Sequence, residues 1–480
     1  MYPTIKKLLP ILLFILSNIL SAQSILKPSE YFDLVRSQHP IARRSNLLSE
    51  QAMARWKMAR GGFDPYLYSN YDNKFFNGKT YYSNSESGLK VPTRVGVEFK
   101  ASYTINEGQF LNLENSTPRV GLAAFGVSVP LAQGLLWDER RAALKQAEIF
   151  EKAAENERIL MLNNLYYEAA KAYWDWAAAF YKGEVLQRNI NIANERLSGI
   201  RKTTQQGDRP VIDTLEAFLL LQQYQAQSLD IQNQIRENAA FLNNYTWNTS
   251  NNNVTYTPIA LNMLENEALS DVYFLKNAKA FLGFQDTIRQ RTTLLVQQQQ
   301  HPDLVNYNLK LQDLEVERRT KVEKLKPKIN ANYNLLVPTG PVDKFKGDNA
   351  ILTNNYKWGV NMSYPILTRT ERGNVAFTQL KIKDTELQLS QKQREIENKI
   401  RAYSIDWENN LAQIRIYDSY VKNYTTLRNA EITLFQLGES TLFLVNSRDQ
   451  KLMEAEQKLI ELRAKHQKLL AALAWAMGGF

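Results

Sequence analysis

The 480-residue chain contains no cysteine. That excludes disulfides, thiolate metal sites, a cysteine nucleophile and a lipidated cysteine at the start of a mature chain. Histidine is almost as scarce. His39, His301 and His466 lie far apart, and two of them open matching His-Pro pairs, which reads as architecture rather than chemistry. Long apolar runs are missing beyond the N-terminus, and a spanning helix needs about 20 such residues. Any part of the mature chain that enters a bilayer must therefore do so as strands closed into a barrel. A concentrated basic face is missing as well. The 59 Lys and Arg residues are interleaved with 49 Asp and Glu for a net charge of +10, so they read as solvated helix surface and no nucleic-acid partner is expected. Nor is there a nucleophile elbow, a phosphate-binding loop or a metal-ligand spacing. An enzyme is not expected, and neither is a cofactor or a metal.

The chain opens with Lys6 and Lys7, an apolar run from Leu8 to Leu20, and Ser21-Ala22-Gln23. This predicts a secretory signal peptide over residues 1–22, cut after Ala22. An uncleaved anchor is the other reading, for which the run is short. Without the two lysines the charge falls from +10 to +8.

The stretch from Asp138 to Asn244 organises the rest. Small and apolar residues recur at Leu162, Leu165, Ala169, Ala172, Trp176, Ala179, Gly183, Leu186, Ile190, Ala193, Leu197 and Ile200, in alternating steps of three and four. That is a heptad seam, which imposes a left-handed supercoil on the helices that share it. Asp138 to Gln206 predicts one helix, roughly 100 Å long at about 1.5 Å per residue. Gly207 and Pro210 stop it, and a second helix is expected from Val211 to about Asn244.

The order of elements occurs twice. Gln38-His39-Pro40 recurs as Gln300-His301-Pro302, Pro65 matches Pro327, Val127-Ser128-Val129-Pro130-Leu131 resembles Met362-Ser363-Tyr364-Pro365-Ile366, and Gly207 matches Gly438. Each half reads helix, strands, long helix, turn, helix. The expected division is 23–244 as the first repeat, 245–300 as an equatorial segment between repeats, and 301–480 as the second repeat. Helices are expected over Pro28–Arg60, His301–Lys326, Glu371–Leu437 and Thr441–Met477. The long arm of each half is nearly matched in length by two short arms, one from each half. The clearest strand signal is Val95 to Asn106. Val95, Val97, Phe99, Ala101, Tyr103 and Ile105 alternate with polar residues, as in a membrane barrel with lipid outside and a wet lumen inside. Two strands per half is the base expectation, and four in the first half, with a tight turn at Pro92-Thr93, stays open.

On these features the chain resembles the TolC-like outer-membrane factor family. The resemblance rests on the duplicated order, the His-Pro openings, the strand ends Pro130-Leu131 and Pro365-Ile366, and the turn segments that begin at Gly207 and Gly438. It implies a mixed α and β fold: a homotrimeric transmembrane β-barrel of about 12 strands continuous with a long periplasmic α-helical coiled-coil barrel. It also implies an outer-membrane location, a periplasmic adaptor (membrane fusion) protein as partner, an inner-membrane transporter reached indirectly, and outer-membrane lipid around the barrel. The implied function is an export duct of a tripartite efflux or type I secretion system, conducting passively. A periplasmic coiled-coil scaffold without a pore is the competing reading, and the alternating strands argue against it. The family's tunnel closes near the glycine turns. Asp208, Arg209, Asp213 and Glu216 are the gate candidates at the first turn, with capping of a helix start as the alternative role of Asp208 and Asp213. In the second turn Leu444 and Ser447 stand where the family commonly has acids. Gly207 and Gly438 are hairpin-turn residues, and Val95, Val97, Phe99 and Tyr103 form the lipid-facing strand.

Overall fold

In a computed structural model the described residues are 24–247, 256–258, 300–339 and 355–479. The expected signal peptide and most of segment 245–300 lie outside them. The elements follow in the order β1 (Ser24–Leu26), α1 (Pro28–Gln38), α2 (Pro40–Gly61), β2 (Tyr66–Phe76), β3 (Lys79–Pro92), β4 (Glu98–Glu107), β5 (Leu122–Pro130), α3 (Glu139–Gln205), α4 (Val211–Thr246), β6 (Tyr256–Pro258), α5 (Pro302–Glu323), β7 (Lys328–Pro338), β8 (Tyr356–Ser363), α6 (Arg369–Gln436) and α7 (Leu442–Ala476). No helix among the described residues is long and apolar enough to cross a membrane. The chain forms two compact units: residues 47–157 with 304–391, and the remainder.

Most expected helices appear within a few residues of their bounds. The helix expected over Pro28–Arg60 is corrected to two. Proline disfavours the helical conformation in the residue before it, and His39 is extended, with φ −65° and ψ 134°. The imidazole then serves the next helix: its Nδ1 accepts the backbone N–H of Ile41 at 3.2 Å. His301 does the same for Asp303, also at 3.2 Å. With Nδ1 accepting, Nε2 carries the proton and donates to the Ala476 carbonyl at 3.0 Å. The two His-Pro pairs are thus one capping device used twice.

In the unit that holds the helix pairs, the seam of α3 is buried at Leu165, Ala169, Trp176, Ala179, Leu186, Ile190, Ala193, Leu197 and Ile200. At Gly183 a Cβ would stand 3.0 Å from Ile235 Cδ1, so glycine lets α4 come close. Further along, Leu186, Ile190, Ala193 and Leu197 pack with Leu220, Leu221 and Tyr224 of α4 and with Leu442 and Met453 of α7. At the other end, Tyr31, Tyr173 and Trp174 are fully buried. Both tyrosine hydroxyls are satisfied, Tyr31 donating to Ala169 O at 3.1 Å and Tyr173 to Leu26 O at 2.6 Å.

The other unit carries a six-stranded antiparallel sheet in the order β2-β3-β4-β5-β7-β8. The base expectation of two strands per half is corrected: the first half supplies four. The turn from β3 to β4 does fall at Thr93, whose N–H bonds to Val97 O at 2.9 Å. The turn from β2 to β3 is Asn77-Gly78, both left-handed at φ 50° and 73°, the backbone a type I′ hairpin demands. The expected strand Val95–Asn106 begins later, at Glu98. Val95 and Val97 precede it, because the reversal after Pro92 needs those residues for the turn.

Candidate gate and channel wall

Both glycine turns are built alike. Gly207 and Gly438 are left-handed, at φ 87° and 81°. Asp208 N bonds to Thr203 O at 3.0 Å and Gly207 N to Thr204 O at 3.1 Å; Glu439 N bonds to Leu434 O at 2.9 Å and Gly438 N to Phe435 O at 3.3 Å. This double bond pattern closes a helix on a residue that only glycine adopts without strain. The next helix starts differently in the two turns. Thr441 caps α7 by accepting the Leu444 N–H at 3.4 Å, whereas the cap position of α4 is Pro210, with no side-chain cap bond.

The first-turn candidates are only partly brought together. Arg209 lies 3.5 Å from Asp213 Oδ2 and stacks its guanidinium 3.9 Å from the centre of the Phe435 ring. The turn after α3 is thereby fastened to the last turn of α6. Asp213 occupies the first turn of α4, where its charge suits the helix dipole. Asp208 is exposed and Glu216 half-buried, and neither forms an ion pair among the described residues.

A denser charge cluster lies beside the second turn, and sequence reasoning passes over it. The adjacent Arg448 and Asp449 look like a solvated pair, but neighbours on a helix point apart. Asp449 is only 3% exposed. Its Oδ1 takes Arg428 Nε of α6 at 2.8 Å, and its Oδ2 takes Arg196 of α3. Arg196 also donates to Asn446 Oδ1 at 3.0 Å. Arg448 turns the other way, to Glu431 of α6 at 3.4 Å, and the same carboxylate accepts from Ser440 in the turn. One buried carboxylate therefore ties three helices. The nearby Tyr224 hydroxyl is pushed above its usual pKa by burial first and by the Asp449 charge second. The signal in the sequence is the spacing Leu442, Val445, Asp449, Met453: an acid on the apolar stripe of α7.

The sheet has two unlike faces. Register aligns Val91, Phe99, Val127, Tyr333 and Trp358 across one face, and the next row on that face is Leu67, Leu89, Ala101, Phe125, Leu335 and Tyr356. Trp358 is 68% and Phe125 57% exposed, and the predicted Phe99 and Tyr103 are exposed there too. The opposite face aligns Lys90, Lys100, Gly126, Asn334 and Lys357. On it Glu86 accepts from Lys100 Nζ at 2.7 Å and from the Tyr68 hydroxyl at 2.8 Å. The apolar stretch starts at Ile329 on β7 and Met362 on β8, but at Phe99, level with Tyr333, on β4.

The solved structure of the Neisseria gonorrhoeae MtrE outer membrane channel matches 94% of this chain and 89% of its own, with a TM-score of 0.66 at 13% identity. The chain has the TolC-like outer-membrane channel fold. For this fold the Vibrio cholerae outer membrane protein VceC gives a TM-score of 0.62 at 13% identity, over 94% of this chain and 96% of its own. The Campylobacter jejuni CmeC outer membrane channel gives 0.63 at 12%, over 94% and 86%. No protein-family description matches the sequence, and no curated protein resembles it in sequence.

Proposed function

We propose that the protein is an outer-membrane export duct. It works as a homotrimer and passes substrates without catalysis from the periplasm, or from an inner-membrane transporter reached through a periplasmic adaptor, to the exterior. The observation that carries this reading is the two-faced sheet. Its apolar face holds exposed Phe99, Phe125, Tyr333 and Trp358, and its polar face holds Lys100, Glu86 and a run of asparagines, so lipid lies outside and water inside a closed wall. Val95 and Val97 flank that apolar face at the base of β4. The solved channels of the same fold support the reading.

The helices favour several copies. Along α6, Tyr420, Leu427 and Leu434 are exposed at seven-residue spacing, after Ile405 and Ile416. A heptad stripe left bare on one chain suits a helix of another copy. At the turns, Asp213 and Glu216 supply negative charge to the pore and Arg209 balances Asp213. Opening needs a partner that binds the open arrangement more tightly than the closed one.

Purified protein in planar bilayers should show small, steady currents. Asp213→Ala with Glu216→Ala should raise them while leaving the trimer intact. A protein that fractionates with the outer membrane yet never conducts, in either form, would instead be a scaffold.

A further inference from the structure

Among the described residues the six-stranded sheet ends in two unpaired edges, β2 and β8. Building on the trimeric-duct reading, we propose that β8 of one copy pairs with β2 of the next. Three copies then close a barrel of eighteen strands, not the twelve that the family resemblance implies.

Direction permits the seam. Strands alternate across the sheet, so with six of them β8 runs opposite to β2 of a copy related by rotation, and the new pair is antiparallel like all the others. An edge strand left open in lipid would expose a row of unmet backbone groups. Soluble proteins blunt such edges with proline, bulges or several charges. β8, Tyr356–Ser363, has no proline and one charge, Lys357.

Closure through β4 is blocked. A twelve-stranded barrel would need β4 as its edge, yet the whole of β4, Glu98 to Glu107, is laddered to β3. The hairpin β2–β3 therefore stands inside the wall. Its outward positions beyond Leu67 and Leu89 are Ser69, Tyr71 and Asn73 on β2 and Ser87, Ser85 and Ser83 on β3, where β4 has Tyr103 and Ile105. Four of these hydroxyls are paired: Ser69 and Ser87 lie 2.8 Å apart, and Ser83 donates to the Tyr71 hydroxyl at 3.2 Å. These bonds reduce the cost of polar side chains on the outward face.

The two edges also carry charges of opposite sign. Lys357 lies on the polar face at one edge and Asp72 on the polar face at the other, aligned with Asn334 and Asn84 respectively. Both are exposed, and neither has an ion pair among the described residues.

A chain without cysteine allows a direct test. Lys357→Cys is combined in turn with Tyr68→Cys, Asn70→Cys and Asp72→Cys, on the polar face, and with Ser69→Cys, Tyr71→Cys and Asn73→Cys, on the other. Because strand side chains alternate, oxidation in membranes should give covalent dimers and trimers with the even-numbered set only, most with Asp72→Cys. Linkage with the odd-numbered set would overturn the seam. So would no linkage at all in protein that amine cross-linking shows to be trimeric, or linkage of Lys357→Cys to Lys100→Cys instead. If amine cross-linking finds no trimer, the duct reading itself fails and the eighteen-strand count falls with it.

Discussion

Asp449 occupies a position on α7 where the helix stripe calls for an apolar side chain. A buried carboxylate there is tolerated because two guanidinium groups reach it from α3 and α6. Removing one partner of such a cluster typically costs about 3–5 kcal/mol, since the remaining charges stay buried and unmatched. Asp449→Asn should therefore lower the unfolding temperature of the purified protein and raise its leak current in planar bilayers. A variant that leaks no more than the parent would leave the cluster a purely structural tie. His466 allows a second test at this scale. It stacks on Trp407, and burial pushes its pKa down to about 4. The folded state thus refuses a proton that the unfolded chain accepts near pH 6.5. Its contribution is full above about pH 6.5 and is lost as pH falls toward 4, where it has cost up to about 3 kcal/mol. Denaturation midpoints at pH 7 and pH 4.5 should differ less in His466→Phe than in the parent, and equal differences would show that other groups set the acid sensitivity.

Elements were legible where their signal was local and repeated. The α3 seam, the two glycine turns and the four long helices follow from three-and-four spacing and from Gly207 and Gly438. Strand number was not, although a strong hairpin signal, Asn77-Gly78, lies in the first half. The residues around it, from Ser69 to Ser87, are rich in serine and asparagine on both faces, so the alternation that reveals β4 is absent. The gate candidates were legible only in part. Arg209 and Asp213 meet because they lie four residues apart across a helix start, whereas Arg196, Arg428 and Asp449 meet only through the packing of three helices. The turns themselves can be tested. Gly207→Ala forces a side chain into a left-handed backbone, with an expected loss of about 1 kcal/mol. Gly207→Asn should lose less. Equal unfolding midpoints for all three proteins would mean the turn relaxes at no cost.

For the whole molecule the question is how wide a wall one chain can contribute. Barrel diameter grows roughly linearly with strand number, so lumen area grows roughly as its square. The hairpin β2–β3 starts after Pro65 and returns at Pro92, on the same side of the sheet, because β2 and β3 pair along their length. Deleting residues 66–92 removes two strands and keeps the count even, so β4 becomes the new edge and three chains can still close. Twelve strands in place of eighteen should reduce lumen area to roughly half, with a matching fall in the conductance of the open channel. Opening must be held constant for this comparison, so Asp213→Ala with Glu216→Ala is introduced in both the full and the shortened chain. A shortened trimer with unchanged conductance would place the hairpin outside the wall, as a flap on a twelve-stranded barrel, and the seam between β8 and β2 would be wrong.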